Sequence, residues 1–213
     1  MIVVHHLNNS RSQRVLWLLE ELGIEYEIKF YERDPYTMLA PASLRQIHPL
    51  GKSPVITDAD LTIAESGAII EYIVNRYGNG RLIPAPSTPE RLRYTYWLHY
   101  AEGSAMPPLL LRLIFERFGV GDSEAMSAFI APQIKLHYDY IEGELSKSTW
   151  FVGEEFTAAD IQMSFPLELL AMQAEQIESR PKLKEFLSRI HERLGYQRAL
   201  ARGGKYDFAN SIQ

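Results

Sequence analysis

Apolar positions along this chain follow two different rhythms. Residues 2–7, IVVHHL, form a short β-forming run that ends at the polar cluster Asn8-Asn9-Ser10, which predicts a buried strand entering a loop. Directly afterwards Val15, Leu18, Leu19 and Leu22 recur at helical spacing, with Ser10 suited to cap the start of that helix and Gly23 its end. YEIKFYE at 26–32 predicts a second strand, and so short a crossover implies parallel pairing of the two strands. Residues 33–53 hold three of the twelve prolines and read as an irregular connection with one short helix around Ser43–Ile47. PVITD at 54–58 and LTIAE at 61–65, separated by the turn-like Ala59-Asp60, predict an antiparallel hairpin. A helix from Ser66 to about Tyr77 follows, burying Ile69, Ile70, Ile73 and Val74.

Beyond this point the strand rhythm disappears. GNGRLIPAPSTP at 78–89 is dense in glycine and proline, and after it helical spacing covers about 90–118, interrupted near Met106-Pro107-Pro108, then 124–146, 157–173 and 182–194. The pattern predicts an α/β domain over 1–79, a linker over 80–89 and an all-α domain over 90–213, without internal repeats.

Composition narrows the function classes. Hydrophobic residues at 46% and charged residues at 23% are ordinary for a globular protein. The net charge of -5 gives no basic stripe for nucleic acid, so a small anionic ligand needs a local basic site. With no cysteine, a disulfide framework and protein thiol chemistry are excluded, and any thiol that reacts here belongs to a ligand. The run at the amino terminus lacks a basic flank and no apolar stretch approaches the ~20 residues that span a bilayer. A cytoplasmic protein without a membrane partner is expected.

Three motifs carry candidate chemistry. Ser53-Pro54 stands directly before the third strand, where proline removes a donor that is not needed; on its own it reads as trans, since only about 5–6% of such bonds are cis. Glu65-Ser66 lies at a strand-to-helix junction. A hydroxyl and free N–H groups there can receive a carboxylate, and a neighbouring glutamate can receive the ammonium of the same amino acid. Alone, the pair reads more simply as a helix cap beside a solvated glutamate. Ser10 begins the first helix, where a hydroxyl can donate to a ligand thiolate and lower a thiol pKa from about 8.5; Asn9, Ser12 and backbone amides compete for that role.

Taken in order, Ser10-Arg11, Pro49-Leu50-Gly51-Lys52-Ser53-Pro54 and Glu65-Ser66 resemble the cytosolic glutathione S-transferases, and the resemblance spans essentially the whole chain. SRSQRVLWLLEELGIEYE at 10–27 is similar to the bacterial and fungal branches with a serine-type active site, and Thr157-Ala158-Ala159-Asp160 resembles the capping box of a core helix in the family's second domain, with Phe156 placed for a hydrophobic staple. The resemblance implies a thioredoxin-like first domain, an all-α second domain contributing the electrophile pocket, a cis bond at Pro54 and a homodimer. Glutathione is the implied co-substrate. Glu65 and Ser66 would hold its γ-glutamyl end, Ser53 its cysteinyl backbone, Lys52 its glycyl carboxylate, and Ser10 its thiolate.

Two positions depart from the family's pattern: His48 stands where asparagine is common, and Ser53 where valine is common. His48 fits a turn role or a glycyl contact. The implied activity is conjugation of glutathione to small, partly apolar electrophiles. Peroxidase, isomerase or dehalogenase activity on the same fold, or a non-catalytic glutathione-binding or stress-related role, stay open. Trp97, Tyr100, Met106, Leu110 and Phe115 fit an apolar pocket or a helix core, and no cluster has metal-ligand spacing.

Overall fold

The computed structural model describes residues 1–119 and 124–210. Residues 120–123 and 211–213, which the sequence pattern includes in the helical half, lie outside the described residues. Two compact units emerge, one of Met1–Pro84 together with Arg189–Asn210 and one of Ala85–Ser188.

The first unit is built on four strands, β1 (Ile2–Leu7), β2 (Tyr26–Tyr31), β3 (Val55–Asp58) and β4 (Leu61–Ala64), in the order β2-β1-β3-β4. β1 and β2 run parallel, as their short helical crossover requires, whereas β3 pairs antiparallel with both β1 and β4. His5 stands opposite Val55, and Val55 opposite Ala64. This register brings the end of β1, the start of β3 and the end of β4 to one edge of the sheet. Three chain-distant loops therefore meet there.

The helices of this unit are α1 (Ser12–Leu22) and α2 (Ser66–Tyr77), with α9 (Leu194–Gly203) returning from the far end of the chain. α1 buries Val15, Leu16, Trp17, Leu18 and Leu19, and ends at Gly23 with φ 67, a left-handed conformation that glycine adopts without steric penalty. α9 packs on α1 so closely that a Cβ on Gly195 would lie 2.7 Å from Glu21 Cδ and one on Gly203 2.8 Å from Leu16 Cδ1. Arg193 clamps Glu21 with two bonds of 2.7 and 2.8 Å, and Trp17 Nε1–H donates to the same carboxylate at 2.9 Å. The short helix predicted near 43–47 is a 3-10 turn at Ala42–Gln46, whose buried Leu44 packs against Leu7 and Tyr31.

The second unit contains α3 (Pro89–Tyr100), α4 (Met106–Arg117), α5 (Glu124–Leu145), α6 (Ala158–Ala171), α7 (Ala174–Glu178) and most of α8 (Pro181–His191). The interruption predicted at Met106-Pro107-Pro108 is a change of helix type instead: Ala101–Ala105 is a π segment, and the prolines occupy the first turn of α4, where a missing N–H leaves nothing unpaired. Trp97, Tyr100 and Met106 are core residues, while Leu110 is exposed. Trp97 sits among Tyr96, Tyr100, Tyr140 and Phe151 with ring centroids 4.6 to 5.8 Å away. The capping box forms as expected. Thr157 N–H donates to Asp160 at 2.8 Å, Ala159 N–H donates to Thr157 Oγ1, and Phe151 N–H adds a bond of 2.9 Å to the same buried carboxylate. Phe156 packs on Trp150 with ring centroids 5.0 Å apart.

Candidate functional site

The edge where β1, β3 and β4 end carries the residues singled out from the sequence. Ser10 lies in the loop from β1 to α1, buried to 4% exposure. The helix is bounded at Ser12, and Arg11 before it has helical φ and ψ and makes no side-chain cap bond. The Ser10 hydroxyl is drawn into a cluster, 2.7 Å from Ser12 Oγ and 3.2 Å from Ser53 Oγ, and it accepts from Ser12 N–H at 3.2 Å. Thus the register of the sheet joins two predicted site residues that are 43 positions apart.

The Ser53-Pro54 bond is cis, as the family resemblance implies and against the base rate for the residues alone. Ser53 is half-buried, whereas Lys52 beside it is exposed and makes no ion pair among the described residues. His48 takes the turn role: its Nδ1 accepts from Leu50 N–H at 3.4 Å, and its carbonyl accepts from Gly51 N–H at 2.8 Å.

At the end of β4, Glu65 is exposed and Ser66 is buried. Ser66 is the first residue of α2 rather than its cap. Glu65 fills the cap position with φ 71 and ψ 121, and its side chain makes no cap bond. The first-turn N–H groups of α2 have no acceptor within the helix, so they and the helix dipole face outward with Glu65 beside them.

Behind this helix end lies Arg14, which the sequence pattern did not single out. It is 1% exposed, and its Nη1–H donates to Ser66 Oγ at 3.4 Å, tying α1 to α2. Arg14 stands four positions before Leu18 and eight before Leu22, both buried, so a cation on the apolar stripe was the readable signal. Arg33 was also missed. Its guanidinium donates to the carbonyls of Asn8, Asn9 and Met38, and burial, then the neighbouring charge of Arg11, lowers its pKa. A chain of net charge -5 thus concentrates Arg11, Arg14, Arg33 and Lys52 around the elements that meet at this edge.

Asn9, a competitor of Ser10, has both ends of its amide engaged: Nδ2–H donates to Asp207 Oδ2 at 2.7 Å, and Oδ1 accepts from Asp207 N–H at 2.9 Å. Ser12, another competitor, is fully buried behind Ser10. His5 and His6 both leave β1 as neutral rings. Burial lowers His5, with Lys29 adding to the effect, and burial pulls His6 to about 4 although the Gly203 backbone beside it acts the other way. Among the described residues no group of acidic and histidine side chains is arranged to hold a metal.

Comparison with known proteins identifies the family. Residues 1–75 match the family model "Glutathione S-transferase, N-terminal domain" and residues 108–193 match "Glutathione S-transferase, C-terminal domain". "Glutathione S-transferase 3" of Schizosaccharomyces pombe is 36% identical, over 91% of this chain and 84% of its own length. The chain belongs to the glutathione S-transferase family.

Solved structures of the family extend the likeness to three dimensions. A glutathione S-transferase from Actinobacillus pleuropneumoniae superposes with a TM-score of 0.89 at 36% identity, covering 99% of this chain and 96% of that one. A glutathione transferase from Phanerochaete chrysosporium, solved with oxidised glutathione, shares the fold at 22% identity and a TM-score of 0.81, with 95% and 96% covered. The four-stranded mixed sheet with its helices, followed by a helical unit, is the family's fold. Among the described residues, no helix is long and apolar enough to cross a membrane.

Proposed function

We propose that this protein is a glutathione transferase that binds glutathione at the edge where β1, β3 and β4 end and adds its thiolate to small, partly apolar electrophiles. Glu65 and the positive end of the α2 dipole at Ser66 receive the ammonium and carboxylate of the γ-glutamyl group, with Arg14 adding positive potential from behind. Ser53 pairs through its backbone with the cysteinyl part, and Lys52 meets the glycyl carboxylate. Ser10 faces the thiol and donates to the thiolate. The observation that carries this reading is the meeting of Ser10 with Ser53, and of Ser66 with Arg14, at one sheet edge of a chain that matches the family in both units. The protein works in the cytoplasm as a homodimer, which sedimentation tests directly.

Ser10→Ala tests the chemistry. Turnover of a chloronitrobenzene-type electrophile should fall by ~10-fold or more, as loss of about 1.5–3 kcal/mol from one hydrogen bond to a charged group implies, while glutathione affinity changes little. Unchanged turnover moves the role to the backbone amides or another hydroxyl. Retention on immobilised glutathione without turnover of any electrophile makes the protein a binder and not a catalyst.

A further inference from the structure

The loop that carries Ser10 belongs to no helix or strand, so its shape is set by what grips it. On one side stands Arg33, just beyond β2. Its backbone N–H donates to Asn8 Oδ1 at 3.0 Å, its Nε–H to the Asn8 carbonyl at 3.2 Å and its Nη2–H to the Asn9 carbonyl at 3.1 Å. On the other side stands Asp207. Asn9 Nδ2–H donates to Asp207 Oδ2 at 2.7 Å, and Asp207 N–H donates to Asn9 Oδ1 at 2.9 Å. A backbone N–H only donates and a carboxylate oxygen only accepts, so the Asn9 amide can stand only one way round.

Asp207 reaches this loop from 198 positions away, in the segment that follows α9. That segment has firm footing. Arg193 binds Glu21 of α1, and Arg198 Nε–H and Arg202 Nη1–H donate to Glu20 at 2.9 and 3.0 Å. Tyr206 is buried, with the Phe208 ring 5.2 Å from its own. The second Asp207 oxygen, Oδ1, lies 3.2 Å from the exposed Lys205 ammonium, which leaves Oδ2 to Asn9. Asn9 itself has φ 49, in the left-handed region that asparagine tolerates better than most residues, and Ser10 is the next residue.

We infer that Asp207, acting through Asn9, is a positioning residue for the proposed reaction: it holds the left-handed turn at Asn9 and so sets where Ser10 Oγ stands, 3.2 Å from Ser53 Oγ. This rests on the reading of Ser10 as the thiolate donor. The charge of Asp207 works in the opposite sense, because a nearby carboxylate disfavours a thiolate. The two effects therefore separate by sign. If Asp207 acted through its charge, removing it would lower the pKa of the bound thiol; as a support for Ser10, removing it raises that pKa.

The test is the ultraviolet absorbance of bound glutathione thiolate followed against pH, to which no protein thiol contributes because the chain has no cysteine. Asp207→Ala should raise the bound thiol pKa by about 0.5 to 1, part of the roughly 1 to 2 that one hydrogen bond to a charged group carries, and lower kcat by ~3- to 10-fold at neutral pH. The KM for glutathione should stay within about twofold, because the proposed γ-glutamyl contacts lie elsewhere, at Glu65 and Ser66. Asp207→Asn loses the same charge but keeps an oxygen for Asn9, so it should produce no rise. Asn9→Gly, which accepts the left-handed turn without its side chain, should match Asp207→Ala, and the two together should do no more than either. It carries the test if Asp207→Ala does not fold. In a Ser10→Ala background the rise should vanish. A fall or no change in Asp207→Ala overturns the inference, as do an equal rise in Asp207→Asn and a rise that persists without Ser10. Ser10→Ala with the wild-type thiol pKa overturns the Ser10 reading and the inference together, whereas a shift in Ser10→Ala that neither Asp207→Ala nor Asn9→Gly reproduces overturns the inference alone.

Discussion

Replacing Asp160 by asparagine should produce a stability difference that shrinks as pH rises, the reverse of the usual acid lability of carboxylates. Asp160 is fully buried, and burial pushes its pKa up to about 6 from 3.8, although the Phe151 and Thr157 N–H groups and the Thr157 hydroxyl oppose the rise. A raised folded-state pKa means that the native chain keeps a proton that the unfolded chain has already lost. Below pH 3.8 both states are protonated, and the carboxyl adds no pH dependence. Between about 4 and 6 the wild type loses stability as pH climbs, by roughly 3 kcal/mol in total, because each pH unit in that interval costs about 1.4 kcal/mol. Asparagine does not titrate. Its amide presents an N–H₂ to at least one of the donors that the carboxyl accepts from, so at pH 4 the variant should be less stable by about 1–3 kcal/mol. Urea unfolding followed by tryptophan fluorescence at half-unit steps from pH ~4 to ~7.5 measures the gap. It should narrow with rising pH and level off above about 6. A constant or widening gap would refute the reasoning, because the hydrogen bonds would then outweigh burial and keep the carboxyl ionised.

Three further outcomes follow from contacts in the first unit. Glu65→Ala should weaken glutathione binding by ~10-fold, consistent with loss of about 1–2 kcal/mol for one charge-assisted bond, without changing the unfolding midpoint; unchanged affinity by calorimetry would remove Glu65 from the site. Gly195→Ala drives a Cβ to 2.7 Å from the Glu21 carboxyl and should lower stability by about 1–3 kcal/mol in thermal unfolding, whereas an unaffected midpoint would mean that Glu21 yields freely. At Glu21 burial acts to raise the pKa, but the bonds from Arg193 and Trp17 prevail and hold it below its ordinary value. Its stabilisation is present above the unfolded pKa and is lost as pH falls through the lower folded one, so Glu21→Gln should flatten acid unfolding below pH ~4.5, and an unaltered acid limb would rule the clamp out as a source of pH dependence.

The strands and most helices were legible because their apolar residues keep a single rhythm. β1, α1 and α2 each bury the residues whose spacing marked them. The capping box at Thr157 was legible for another reason: both of its partners lie within four residues, so the geometry is local. What the sequence did not carry is three-dimensional placement. Ser10 and Ser66 both looked like helix caps; Ser10 accepts from Ser12 N–H but is also held by hydroxyls from α1 and the loop before β3, and Ser66 is displaced by Glu65. Arg14 and Asp207 acquire their meaning only from partners 52 and 198 positions away. Nothing in the sequence marks α9 as a companion of α1, because two glycines that look like helix breakers are there to admit Glu21, Gln13 and Leu16.

The backbone at Glu65 has a consequence for any effort to improve this protein. A residue with a Cβ held at φ 71 and ψ 121 is strained by about 1–3 kcal/mol, and glycine would relieve much of that strain. A library screened only for heat tolerance should therefore drift toward glycine at position 65, and survivors would unfold later while discarding the carboxylate that we propose for the ligand's ammonium. Selection for robustness and selection for catalysis pull on the same peptide unit in opposite directions.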